Sequence, residues 1–440
     1  MRRSATPPSP TFSDRRRRFV TTGALVLGAA LVLQGCAATE AEEPAADGEV
    51  ELVFLNQSRG QEEALNQLAE QYTEETGVKV TVDSPGPADY LAKLQAQAQS
   101  NSMPDIYSFL GPTDMAAFVN AGWAMELSSE LEGEWGDTFT PSLIELSRFE
   151  EGNSLEVEPG IYSAHWEIAT QGLLVSPEVS GIDEAPETMQ DLIETLVKSD
   201  ESGAGTFGVA ASLVPYLVQA YASNWLTNDE IEATLNGEAS WKQEGWANAF
   251  EVLLELKEAG AIANGALVGG ADDNPTVEAD FFNNAALGVL FDHSAGVSVG
   301  LRTAPDFEDF FSMSVPAAED GDLDPRPVVL IGKGAAINPK GDHPEEALEF
   351  VKWLTEPDQQ SVFAEVARIL PSNVELLESG EVPVQLEGFA DGLDDSQNFS
   401  ATFNSDVRSS IIAEAQRLVL GEISVDELLA NVQAAQDRVS

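Results

Sequence analysis

The chain has 440 residues, 43% of them hydrophobic, a formal net charge of -53 and one cysteine. Such acidity excludes a nucleic-acid partner, because phosphate binding needs a basic surface, and a single cysteine excludes an intrachain disulfide. The length exceeds what one hydrophobic core ordinarily serves and predicts two lobes.

At the start, Arg15, Arg16, Arg17 and Arg18 form a positive block, and an apolar run follows from Thr21 to Leu33. That run is shorter than the roughly 20 residues a membrane-spanning helix needs. A basic segment, a short apolar segment and a small-residue processing site read as a secretory signal peptide over residues 1–35. The segment Leu33-Gln34-Gly35-Cys36 resembles the lipobox of bacterial lipoproteins, which implies lipid attachment at Cys36 and anchoring to the outer face of the cell membrane. Arg16 to Val20 also resembles a twin-arginine export signal, with Arg15 in place of the usual Ser or Thr. Residues 36–48, rich in Ala and Glu, read as a flexible tether. The signal carries six basic residues and one acidic one, so the mature chain keeps 16 basic against 74 acidic residues, a charge of -58. Self-repulsion on that scale is relieved by salt, and a salt-rich exterior is expected.

In the mature chain, Val50, Leu52 and Phe54 alternate on one face of a strand. Leu65, Leu68, Ala69 and Tyr72 then mark one face of a helix that Gly77 ends. Val78, Val80 and Val82 form the next strand, which completes a βαβ unit and predicts a parallel sheet. A helix around Tyr90 to Ala98, a strand from Ile106 to Leu110 and a short helix ending at Gly122 follow. Far downstream, strands at Val328 to Ile331 and Ala335 to Ile337 precede a helix, and this unit is also expected to be parallel. Asp342 is the expected N-cap of that helix, with Pro344 in its first turn and Ala347, Phe350, Val351 and Leu354 on its apolar face. Near the end, Ser424-Val425-Asp426-Glu427 is a capping box.

These segments, in this order, resemble family 1 of the extracellular solute-binding proteins, a maltose-binding-protein-like group. The resemblance rests on Met103 to Tyr107, Ala121 to Leu127, Ile161-Tyr162 through Leu173 to Val175, Pro186 to Leu192, Phe281 to Leu287, and Gly332 to Leu354 followed by Leu370-Pro371-Ser372. It implies an α/β, two-lobed, type II-like periplasmic-binding-protein fold with discontinuous lobes joined by hinge strands. Residues 49–162 and 317–365 would form the first lobe, and 163–316 and 366–440 the second. Hinges are expected near Tyr162 to Ala169, near Val315-Pro316 and near Val366 to Pro371. It further implies a monomeric binding subunit of an ABC importer, which captures a solute between its lobes and delivers it to the permease transmembrane subunits. No chemistry is catalysed and no cofactor is needed.

Sugar sites combine aromatic platforms with groups that pair with hydroxyls. Ser58 and Arg59 follow the first strand; Phe109 and Asp114 flank the turn after the third; Tyr162, His165 and Trp166 sit at the crossover. Tyr221 and Trp225 lie four apart on one helical face. Where sugar binders often read "A-M-x-x-x-G-S-W", this chain has Phe291 at the glycine and His293 at the tryptophan, so Asp292 and His293 would meet hydroxyls directly. Each of these aromatics has core packing as its alternative, and Arg59 a surface ion pair. Sugars or oligosaccharides lead as ligand; a polyamine, a glycerol phosphodiester or a peptide are the alternatives, the phosphodiester needing Arg59 and a second cation such as Arg326.

A secreted hydrolase is the distant alternative, because Asp292-His293-Ser294-Ala295-Gly296 lacks the first glycine of a nucleophile elbow. His165, His293 and His343 show no metal-ligand spacing. Asp320, Asp322 and Asp324 begin like a calcium loop, but Pro325 and Ile331 stand where Gly and Glu are required.

Overall fold

The computed structural model describes residues 50–439 except 59, 110, 154, 265–266, 268–273, 398 and 400–401. The segment read as a signal peptide, Cys36, the whole tether and Arg59 lie outside the described residues. No described helix is long and apolar enough to cross a membrane.

The strands are β1 (Glu51–Leu55), β2 (Lys79–Asp83), β3 (Ile106–Ser108), β4 (Arg148–Phe149), β5 (Gly160–Ile161), β6 (Ala164–His165), β7 (Ile168–Val175), β8 (Phe207–Val209), β9 (Val289–His293), β10 (Phe311–Met313), β11 (Val329–Ile331) and β12 (Gly334–Ile337). Two five-stranded sheets result. The first runs β2-β1-β3-β12-β6; the second runs β10-β7-β9-β8, with β11 also paired to β7. The mixed α/β, two-lobed arrangement expected from the sequence is thus present.

Local chemistry explains the first sheet. In β1, Leu52 and Phe54 are buried while Glu51 and Val53 face out, the alternation of a strand with one covered face. Helix Glu62–Thr76 covers it with Ala64, Leu65, Leu68, Ala69 and Tyr72. Gly77 ends the helix at φ 79°, its N–H bonded to the Thr73 carbonyl, a left-handed cap that glycine adopts without a Cβ clash. β2 and β3 then pair parallel to β1, as a βαβ unit requires.

In the second sheet, β7 is buried along its length except at Ala169, because it lies between β9 on one side and β10 and β11 on the other. Its apolar ends, Ile168 and Leu173 to Val175, flank a buried polar middle at Thr170 and Gln171.

The downstream strands correct one expectation. β12 runs antiparallel to β3 and β6, and β11 antiparallel to β7. The chain returns from the second sheet and so enters the first against its direction. The return also falls later than Val315-Pro316: Ala317 bridges Thr188, Val328 bridges Gln397 and β11 still pairs with β7. Residues 317–331 therefore sit on the second sheet, and the chain changes sheets at Gly332 to Gly334. A β-carbon at Gly332 would collide with the Glu167 carbonyl, and one at Gly334 with the Ala164 carbonyl. Glycine is what lets the crossing strands lie this close.

At the third crossing, Leu370 accepts from Ile168 N and Pro371 bridges Glu167. Asn373 then turns back to Phe139 and Thr355, and helix Val384–Ala390 packs on β7 and β10. Helix Pro344–Trp353 starts with Pro344, but His343 holds the N-cap position without a side-chain bond, so Asp342 is not the cap.

Candidate functional site: a cleft between the sheets

A cavity of about 760 Å³ opens between the two sheets. Gly111 to Thr113, which follow β3, and the β4 segment with Arg148, Phe149 and Glu150 form one wall. Tyr216 and Gln219 of helix Val214–Ala222 form the other, with Gln397, Phe399, Thr402 and Phe403. Val328 to Ile331, the strand that returns toward the first sheet, makes the floor.

The aromatic wall is held from behind. Phe403 lies edge-on to Tyr216 at 5.7 Å between centroids and stacks on Trp241 at 6.3 Å. The Arg408 guanidinium stands 5.8 Å from the Tyr216 ring centre, within cation–π range. Asn404 caps helix Ser405–Val419 by accepting from Asp406 N at 2.9 Å, which places Phe403 just outside the helix end. Gln219 Nε2 donates to Gln397 Oε1 at 3.0 Å, and Gln397 Nε2 donates to Arg326 O at 3.0 Å.

The cavity wall is nearly free of charge. Among the described residues, Arg148 and Glu150 are its only ionisable groups apart from the Tyr216 phenol. Arg326, the candidate second cation, gives its guanidinium to Asn228 Oδ1 at 2.9 Å and Leu226 O at 2.5 Å.

None of the described residues singled out from the sequence lines this cavity. Phe109 is buried edge-on to His165, and Asp114 is exposed in the first turn of helix Pro112–Asn120. Tyr162 is buried against Phe149 and donates to Glu158 O at 3.2 Å. His165 bonds Ser163 Oγ at 2.8 Å and Gly332 O at 3.0 Å; burial pushes its pKa down to about 4. Trp166 is 0% exposed, stacked on Phe363, with its indole N–H donated to Gln61 Oε1 at 2.8 Å. No ring face is left for a ligand in this conformation.

Tyr221 and Trp225 do not share a helical face, because the helix ends at Ala222 and Trp225 lies in the turn beyond it; their rings still meet edge-on at 5.6 Å and front a different groove, of about 600 Å³, among Glu251, Glu255, Glu319 and Asp320.

Ser58, Asp292 and His293 come closest to the expectation. Gly60 stands against Ser298 and Arg302 of helix Ala295–Thr303, which follows His293, so the loop after β1 meets the second lobe here. Ser58 Oγ, Asp292 Oδ2, His293 Nδ1 and Ser298 Oγ are buried with no hydrogen-bond partner among the described residues. Burial raises the pKa of Asp292, opposed by His293. Burial also raises that of Glu167 on the crossing strand, opposed by Lys333 and the Gln61 amide.

The wall residues that sequence reading missed carried a signal of a kind: Phe399, Thr402 and Phe403 mix rings with small polar residues just before a capped helix. Arg148 is one of the mature chain's few cations, on a two-residue strand too short for periodicity to register.

Residues 58–361 match the family of bacterial extracellular solute-binding proteins. A maltooligosaccharide ABC transporter solute-binding lipoprotein of Streptococcus pneumoniae (strain ATCC BAA-255 / R6) is 22% identical over 379 residues, covering 79% of this chain and 78% of that protein. Among solved structures, the cyclic alpha-maltosyl-1,6-maltose binding protein of Arthrobacter globiformis superimposes with a TM-score of 0.65 at 20% identity, over 89% of this chain and 99% of the other. The GacH receptor of Streptomyces glaucescens GLA.O gives 0.65 at 16% identity, over 89% and 98%. With a family match over more than half its length, on two sheets that enclose a cleft, this chain belongs to the bacterial extracellular solute-binding proteins.

Proposed function

We propose that the chain captures a neutral oligosaccharide outside the membrane and delivers it to the transmembrane subunits of an ABC importer, without catalysing a reaction. The observation that carries this reading is the contrast between cleft and chain. The mature sequence has 74 carboxylates to 16 cations, yet the described residues of the cleft wall include one of each and three aromatic side chains, Tyr216, Phe399 and Phe403, beside Phe149. A polyamine would require several carboxylates there, and a phosphodiester a second free cation. Rings that stack on sugar C–H faces, with amides and one guanidinium for hydroxyls, suit an uncharged carbohydrate. The binding partner in the name of the pneumococcal relative points the same way.

In this reading Ser58, Asp292 and His293, where the loop after β1 meets the second lobe, and Arg59, on the sequence alone, supply further hydroxyl contacts outside the walls of the cleft. Phe109, Tyr162, His165 and Trp166 support the strands beneath it. The protein works as a monomer tethered by a lipid on Cys36, and the closed form docks on the permease.

Calorimetry on the mature chain with maltotriose, in low and high NaCl, tests the reading. Saturable binding is expected, weakened about tenfold or more by F403A or Y216A, the scale of losing an aromatic anchor. Binding of spermidine or glycerophosphocholine in place of any oligosaccharide overturns it.

A further inference from the structure

We propose that Gln61 is a positioning residue that fastens the loop after β1 to the strands crossing between the lobes, and so holds the lobes in the arrangement seen here. The inference rests on the chain being a two-lobed binding protein.

Gln61 occupies the N-cap of helix Glu62–Thr76, a place where Ser, Thr, Asp or Asn would bond the helix's free N–H groups. Its side chain makes no such bond. It is 1% exposed and spends both ends of its amide elsewhere. Nε2 donates to Glu167 Oε2 at 2.7 Å, and Oε1 accepts the Trp166 indole N–H at 2.8 Å. An indole can only donate, so the amide orientation is set by chemistry.

Glu167 and Trp166 are where the crossing segments meet. Glu167 Oε2 also accepts from Lys333 N at 3.1 Å, and the Trp166 and Glu167 N–H groups both reach Lys333 O, at 3.1 and 3.2 Å. Trp166 O accepts from Ser372 N at 3.3 Å. One side chain from the first lobe is thereby bonded into a node shared by all three crossings.

On the other side of Gln61 the chain touches the second lobe. A β-carbon at Gly60 would lie 2.6 Å from Ser298 Oγ and 3.5 Å from Arg302 Nε. Gln61 N donates to Ser58 O at 3.2 Å, closing the loop on itself. The loop that meets the opposite lobe is thus one residue from the node, to which the buried hydrogen bonds of the Gln61 amide join it. Removing the amide would leave the buried Trp166 indole N–H without its acceptor and Glu167 Oε2 with Lys333 N alone of its two donors, which destabilises the arrangement seen here relative to an opened one.

The test compares wild type, Q61L and E167Q as the mature chain, by small-angle scattering without ligand and by calorimetry with maltotriose. Q61L is expected to enlarge the unliganded radius of gyration and weaken maltotriose binding about tenfold, a typical coupling between sites. E167Q keeps an acceptor for both the Gln61 amide and Lys333 N and should stay within about twofold of wild type. If Q61L does not fold, Q61N, one methylene shorter, gives the same reading. A Q61L or Q61N scattering curve that overlays wild type overturns the proposal, as does E167Q opening the molecule as far as Q61L. If maltotriose binds none of the proteins, the sugar reading fails while the scattering comparison still decides the role of Gln61.

Discussion

Glu278 lies half-buried in helix Asn274–Phe282, facing Asp292 and His293 of β9 and Arg302 of the following helix. Burial first, then the Asp292 charge, lift its pKa to about 7, against the pull of His293 and Arg302. The folded carboxyl therefore holds its proton more tightly than the unfolded one. The stability this contributes is present below the ordinary carboxylate range and is lost as pH rises toward 7. E278Q should remove that slope: denaturant midpoints at pH 5 and pH 8 should diverge between variant and wild type in favour of the variant at pH 8. Parallel pH profiles would refute the assignment. None of this was legible in the sequence, where Glu278 is one acid among 75. Its neighbours come from β9 and from the helix that ends near Arg302, and only the sheet brings them together. Trp166 makes the same point in reverse. Its residue type and its place at the crossover suited a sugar platform, but its ring is consumed by Phe363 and its N–H by Gln61.

Elements were read more surely where local chemistry sets them. Ser424 and Glu427 form the capping box their spacing announces: Glu427 N donates to Ser424 Oγ at 3.3 Å, and Ser424 N to Glu427 Oε2 at 3.1 Å. S424A should cost about 1 kcal/mol, read as a lower denaturant midpoint with an unchanged slope; a midpoint equal to wild type would show that solvent satisfies those N–H groups as well. Helix Glu62–Thr76 and its Gly77 cap follow equally from periodicity and a left-handed residue. The direction of β12 did not follow. Strand periodicity is the same in parallel and antiparallel pairs, and direction depends on where the chain arrives from. Asp342 likewise has cap chemistry but not the cap position, which fell to His343 once Pro344 opened the helix.

At the scale of the whole molecule, charge dominates. Ion pairs such as Lys79–Glu51 and Lys352–Glu130 join exposed or half-exposed side chains, and pairs of that kind contribute little, so the mature charge of -58 is left largely uncompensated. Screening shortens from about 10 Å at 0.1 M salt to about 3 Å at 1 M. The thermal midpoint should therefore rise between 0.1 and 2 M NaCl, and equally in KCl; a flat or falling midpoint would refute a role for self-repulsion.

The sequence by itself determined the acidity, the βαβ start, the two-lobed class and the family, because composition, periodicity and ordered motifs are properties of neighbouring residues. Only the tertiary structure decided which side chains face the cleft. Arg148, Tyr216 and Phe403 come from segments far apart in the chain and meet only where the two sheets face each other across the returning strand β11. The physical reason is burial: an aromatic ring serves a core and a binding wall equally well, and its use depends on what packs behind it.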